Sequence, residues 1–216
     1  MQQYKSFILK QKPLFITGIG TGVGKTVSSA ILVESLKADY WKPIQSGDLD
    51  YSDTDKVKEL VSNGKTVFHP EAYRLTQPFS PHKSAALDGI QIELSKIILP
   101  ETNNQLIIEG AGGLMVPLND TDLMIDLIQK LDAEVILVSQ NYLGSINHTL
   151  MSAEILISRK LKLSMIIFCG NKDKDTETII SSKLRITTAH LPFFEELTKR
   201  EITKYSTKNI FSTFQK

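Results

Sequence analysis

The sequence predicts an α/β fold of three layers, with a central, mainly parallel sheet flanked by helices. Three observations carry the prediction. Short, nearly continuous apolar runs recur along the chain, segments with apolar residues at three- and four-residue spacing lie between them, and the first run ends in a glycine-rich turn closed by Lys25-Thr26. Continuous apolar runs suit strands covered on both faces, and their alternation with helices implies parallel strands joined by crossovers.

Taken in order, the strand runs are "PLFITG" at 13–18, "DYWKPI" at 39–44, "QLIIEG" at 105–110, "EVILVS" at 134–139 and "LSMIIFCG" at 163–170. Helical spacing covers 25–37, 53–62, 121–131 and 146–160, and "NDTD" at 119–122 offers N-cap residues for the third of these. Beyond residue 173 the pattern predicts a shorter helix, then a strand ending at Leu191-Pro192. Ligands of such sheets gather at the carboxyl ends of the strands. Those ends carry "GIGTGVGKT", "KPIQSGD", "EGAGG", "SQNYLGSINH" and "GNKD".

The first of these makes the fold P-loop NTPase-like. A strand stopping at Gly18, a loop of small residues and a helix opening near Gly24 aim several backbone N–H groups at one point, which is a phosphate site. Lys25 then reaches the β/γ oxygens of a nucleotide, and the Thr26 hydroxyl ligates its Mg²⁺. The spelling departs from G-x-x-x-x-G-K-[ST]: Ile19 stands where the first glycine belongs, and Gly18 comes one residue early.

The 216 residues suit one domain spanning 1–216, and Lys plus Arg 25 against Asp plus Glu 24 leaves no basic surface for nucleic acid or anionic lipid. The single cysteine, Cys169, excludes an intrachain disulfide and fits a reducing compartment. The start "MQQYKSFILKQKPLF" lacks the unbroken apolar run of a signal peptide, and no segment approaches the ~18 apolar residues of a membrane helix. A cytoplasmic protein without membrane or nucleic-acid partners is expected.

Together, "GIGTGVGKT", "WKPIQSG", "SPH" at 80–82, "EGAGG" with Pro117, "LGSINH" and "GNKD" resemble the dethiobiotin synthetases in order and spacing, over roughly residues 13–192. That family's phosphate loop has the same extra residue, which accounts for the early Gly18. The resemblance implies ATP- and Mg²⁺-dependent closure of 7,8-diaminononanoate with CO₂ to dethiobiotin, through a carbamate and a carbamic-phosphoric anhydride. It implies nucleotide contacts from Gly20, Thr21, Gly22, Val23, Gly24, Lys25, Thr26, Glu109 and Asn171, the last at the adenine. Lys25, Lys42 and Thr21 become the catalytic set, with Lys42 neutralising carbamate and phosphoryl charge and Thr21 and Ser46 hydrogen-bonding the diamine or carbamate. Metal ligands are Thr26, Glu109 and an aspartate after "QSG"; the family's Ser-Asp pair selects Asp53, the helical pattern would select Asp55, and Asp53 is preferred.

The helix start Gly144, Ser145, Ile146 and Asn147, with Ser145 and Asn147 as cap candidates, is the family's cradle for the substrate carboxylate of the neighbouring subunit. A homodimer with shared sites is therefore implied. Gly20 and Gly22 replace two acidic residues usual in the family's loop. The competing readings are a partitioning ATPase of the deviant P-loop kind and a nonenzymatic nucleotide-binding module. The former usually carries a lysine early in the loop, where Gly20 and Thr21 stand here.

Overall fold

β1 (Leu14–Gly18) is buried along its whole length, and every other layer is arranged around it. The computed structural model describes residues 11–207; segments 1–10 and 208–216 lie outside the described residues, including most of the leader read above and the motif-free tail. From β1 the chain enters α1 (Lys25–Leu36), β2 (Asp39–Trp41), β3 (Ile44–Ser46), α2 (Asp53–Leu60), β4 (Phe68–His69) and β5 (Tyr73–Leu75). Next come α3 (Pro81–Leu87), a short 3-10 turn at Leu94–Lys96, β6 (Leu106–Gly113), α4 (Met124–Lys130) and β7 (Glu134–Gln140). The described chain closes with α5 (Ser145–Ser158), β8 (Leu163–Cys169), α6 (Lys174–Leu184), β9 (Thr188–Leu191) and α7 (Lys199–Ser206).

Seven strands form one parallel sheet in the order β4-β2-β6-β1-β7-β8-β9. β1 pairs with β6 on one side and β7 on the other, so the chain's first strand lies between two that follow much later. The loop after β1 therefore opens at a topological switch point, where a ligand has room between diverging connections.

Alternation along β1 separates two cores. Ile16 faces the layer of α1, α2 and α7 with Ala30, Val33, Val57 and Ile202, while Phe15 faces the other layer with Ala85, Ile125, Ile128 and Leu156. Each such side chain is fully or almost fully buried, worth about 1.5–3 kcal/mol apiece in transfer from water.

Three expectations need correction. The run at 39–44 does not form one strand: it splits into β2 in the main sheet and β3 in a separate parallel pair with β5. Pro43 lacks the N–H that a central ladder needs, and its carbonyl instead accepts from Ala72 and Tyr73 N–H at 2.9 and 3.0 Å, carrying the chain over to β5. "NDTD" does not cap α4. Asn119 Oδ1 closes its own turn, accepting from Thr121 and Asp122 N–H at 2.8 and 2.7 Å, and the helix opens later, with Asp126 Oδ2 accepting from Leu123 N–H at 2.8 Å. At α5 the N-cap is Gly144 rather than Ser145 or Asn147.

Candidate active site

The loop from Gly18 to Lys25 turns on residues that only glycine occupies without strain. Gly24 has φ of 100°, and a Cβ there would stand 2.8 Å from Cys169 Sγ, so both conformation and space demand glycine at the helix entry. α1 begins directly behind it, with its first N–H groups free for an anion. Lys25 folds back over the loop, its ammonium donating to the Gly20 carbonyl at 2.9 Å. Burial holds its pKa below the ordinary lysine value, with Glu109 opposing that shift and Lys42 adding to it.

β2 and β6 supply the next groups from adjacent strand ends. Glu109 is buried on β6, and its Oε1 accepts from Thr26 Oγ1 at 2.9 Å and from Lys42 Nζ at 3.2 Å. Its other oxygen, Oε2, accepts from the Tyr40 hydroxyl at 3.0 Å. Lys42 also meets Asp53 Oδ2 at 2.7 Å, so one buried ammonium joins two carboxylates. Burial alone would lower the Lys42 pKa, but Glu109 and Asp53 outweigh it and hold the amine above its usual value. For Asp53, burial pushes upward and Lys42 more than reverses it, keeping the carboxyl below the usual range. Lys56 touches Asp53 from the solvent side at 3.3 Å. Tyr40 is driven well above the ordinary phenol value, first by burial and then by the Glu109 charge, so it stays a donor.

The two aspartates after "QSG" part company here. Asp53 faces Lys42, while Asp55 completes the capping box of α2, its Oδ2 accepting from Ser52 N–H at 2.9 Å and Asp55 N–H donating to Ser52 Oγ at 3.2 Å.

These groups open on a cavity of about 670 Å³. Of the residues expected in the site, Thr21, Gly22, Gly24, Lys25, Thr26, Lys42, Ser46, Asp53 and Glu109 line it. The buried Ser46 hydroxyl has no hydrogen-bond partner among the described residues. Pro78, Phe79, Pro81 and Val116 form an apolar wall opposite this charged floor. Motif reading missed these, together with Tyr40 and Gln45; only the "SPH" fragment touched that wall.

A second cavity of about 190 Å³ continues past the loop, lined by Gly22, Val23, Gly24, Cys169 and Gly170 and by the segment that follows β9, including Pro192, Phe193 and Phe194. Burial pushes the Cys169 thiol up to about 11, opposed by Ser28 at 3.5 Å. Gly20 and Asn171 line neither cavity: Gly20 is engaged through its carbonyl with Lys25, and the Asn171 carbonyl accepts from Asn141 Nδ2 at 3.0 Å. Gly144, Ser145, Ile146 and Asn147 also stand outside the first cavity of their own chain. Ser145 is buried, its Oγ accepting from Tyr142 N–H at 3.3 Å.

Among known families, a model described as an AAA domain matches residues 12–201. The chain is 51% identical over 203 residues to the ATP-dependent dethiobiotin synthetase of Christiangramia forsetii, covering 92% of this chain and 98% of that protein. It is 49% identical to the enzyme of the same name from Cytophaga hutchinsonii, over 91% of this chain and 96% of that one. Identity to the one from Brucella ovis is 43%, over 88% and 90% of the respective chains. Solved structures with a similar fold include a ParA family ATPase from Chlorobium tepidum, with a TM-score of 0.54 at 12% identity over 92% of this chain and 100% of that one. Another is a putative plasmid partition protein from Borrelia burgdorferi, with a TM-score of 0.55 at 13% identity over 95% and 98%. At that identity the likeness concerns the P-loop ATPase fold alone.

Proposed function

The chain belongs to the family of ATP-dependent dethiobiotin synthetases, and from that premise we propose that it joins 7,8-diaminononanoate and CO₂ into dethiobiotin at the expense of ATP. The observation that carries the reading is the Lys42 ammonium, held by Glu109 and Asp53 at the mouth of a phosphate loop. A switching ATPase needs a nucleotide site, but a second buried lysine aimed at the γ-phosphate side serves an acceptor that is itself an anion.

One amine of the diamine captures CO₂ as a carbamate and releases a proton. A carbamate oxygen then attacks the γ-phosphorus, ADP leaves, and a carbamic-phosphoric anhydride remains. The second amine attacks the anhydride carbon, phosphate departs, and the ureido ring is closed. The protein's share is placement and charge. Lys25 and the N–H groups at the start of α1 hold the β- and γ-phosphates. Lys42 turns its ammonium toward the carbamate and the transferring group, with Thr21 and the unpartnered Ser46 hydroxyl fixing the acceptor. The apolar wall of Pro78, Phe79 and Val116 suits the methylene chain. The smaller cavity suits the adenine, with Asn171 at its margin.

Mg²⁺ fits the donor set. Thr26 Oγ1, Glu109 Oε1 and Asp53 are hard oxygen ligands that converge around one cation, the Lys42 ammonium. No group of three or more His, Cys, Asp or Glu among the described residues forms a cage, which accords with a metal that completes its shell from phosphate and water. When bound, Mg²⁺ neutralises charge on the β- and γ-phosphates.

The diamine's carboxylate is assigned to the start of α5 in a second copy of the chain. Supporting this are the free N–H groups behind Gly144 and the exposed apolar side chains of Leu143, Ile146, Met151 and Ile157 around that helix, a face suited to a homodimer. No helix among the described residues is long and apolar enough to cross a membrane, and the substrates are metabolites, so we place the protein in the cytoplasm.

The test is mass analysis of products from diamine, bicarbonate, ATP and Mg²⁺, with ADP release followed in parallel. A ureido product and ADP release that requires both diamine and bicarbonate are expected. Comparable ADP release without diamine would overturn the reading.

A further inference from the structure

Glu109 offers two oxygens, and only one of them faces Thr26 and Lys42. What occupies the other decides how the carboxylate is turned. Oε2 accepts from the Tyr40 hydroxyl at 3.0 Å, and that is the one hydrogen bond recorded for this hydroxyl among the described residues. Tyr40 lies on β2 in register with Ile107 of the adjacent β6, and Glu109, two residues further along, shares the same face of the sheet. The tyrosine ring is fully buried and rests against Phe68, with centroids 6.0 Å apart. It therefore has no freedom to follow a rotating carboxylate, and Glu109 is itself buried.

We infer that Tyr40 is a positioning residue for the metal-bearing nucleotide: its hydroxyl clamps one oxygen of Glu109 so that the other is presented to Thr26, Lys42 and the Mg²⁺ that accompanies ATP. This rests on the reading of Glu109 as a metal ligand. Partners of metal-ligating carboxylates orient them and raise metal affinity, and their loss typically costs about 10–100-fold. Tyr40 does not touch nucleotide or substrate, and it stands outside the lining of the main cavity. A tyrosine that merely satisfies a buried hydroxyl would affect stability and leave metal affinity alone, so the two roles separate experimentally.

The experiment measures ADP affinity by calorimetry with Mg²⁺ and with EDTA, for the full chain and for Tyr40→Phe and Phe68→Leu. The ratio of the two affinities reports metal coupling at the site. Tyr40→Phe should reduce that ratio about tenfold or more while ADP affinity in EDTA stays within about twofold of the wild type. Phe68→Leu, which disturbs the ring's packing and keeps the hydroxyl, should lower the unfolding temperature without changing the ratio. An unchanged ratio in Tyr40→Phe, an equal loss in EDTA, or a Tyr40→Phe chain that does not fold would each overturn the inference. A wild-type chain whose ADP affinity ignores Mg²⁺ would instead remove the metal reading of Glu109 on which it stands.

Discussion

Replacing Lys42 by methionine removes one ammonium and keeps most of the side-chain volume. Two carboxylates then lose their common partner in a largely water-free place. Breaking a buried pair by deleting one member costs about 3–5 kcal/mol. The lower end applies here, because the Asp53 side chain is 23% exposed and keeps Lys56 at 3.3 Å, while Glu109 keeps Thr26 and Tyr40. For a chain of this length 1 kcal/mol shifts the unfolding temperature by about 2–4 °C, so Lys42→Met should melt about 6–12 °C lower in EDTA. Mg²⁺ with ADP restores positive charge between the same carboxylates, and the gap should narrow when both are added.

The pH dependence has a definite sign. The Asp53 pKa lies below its ordinary 3.8, so the stability it contributes is present above that value and lost as pH falls through the lower folded value. The Lys42 pKa lies above its ordinary 10.5, so its contribution is present below that value and lost as pH rises through the higher folded value. The gap between wild type and Lys42→Met should therefore be flat across neutral pH and shrink in acid. Turnover should fall about 10²–10³-fold, with ATP affinity changed far less. Calorimetric melting curves and steady-state kinetics check these points. A variant melting within about 2 °C of wild type, with no response to Mg²⁺·ADP beyond that of wild type, would refute the charge-bridge reasoning.

Asp53→Asn should cripple turnover, whereas Asp55→Ala should cost about 1 kcal/mol of stability through its lost cap and leave kcat near wild type, as paired melting and rate measurements would show. Gly24→Ala forces a Cβ against Cys169 at a positive φ, and it should abolish ATP binding measured by calorimetry. Because its pKa is pushed to about 11, Cys169 should react with a thiol-specific reagent at pH 8 at least tenfold more slowly in the native chain than in denaturant, followed by absorbance. Mixing Lys25→Ala subunits with subunits blocked at Ser145 should restore activity through one intact site per heterodimer, and no restoration despite demonstrated subunit exchange would place each whole site within one chain.

The sequence by itself determined the parallel sheet, the phosphate loop and the family, because each is written in local chemistry. Buried strands must be apolar on both faces, a phosphate nest must be glycine-rich, and Lys-Thr must follow it. What local pattern could not carry was contact between distant segments. β4 has two residues and β3 three, too short to show a period, and the departure of the chain from the main sheet at Pro43 depends on Ala72 and Tyr73 waiting to pair with it. Asp53 and Asp55 read alike in sequence, and only the packing of α2 under Lys42 turns one toward the cavity and the other into a cap. Tyr40 reads as an ordinary apolar strand residue, since nothing near it in the chain shows that residue 109 lies across the next strand. Its role follows from the register of β2 on β6, which is a property of the folded sheet.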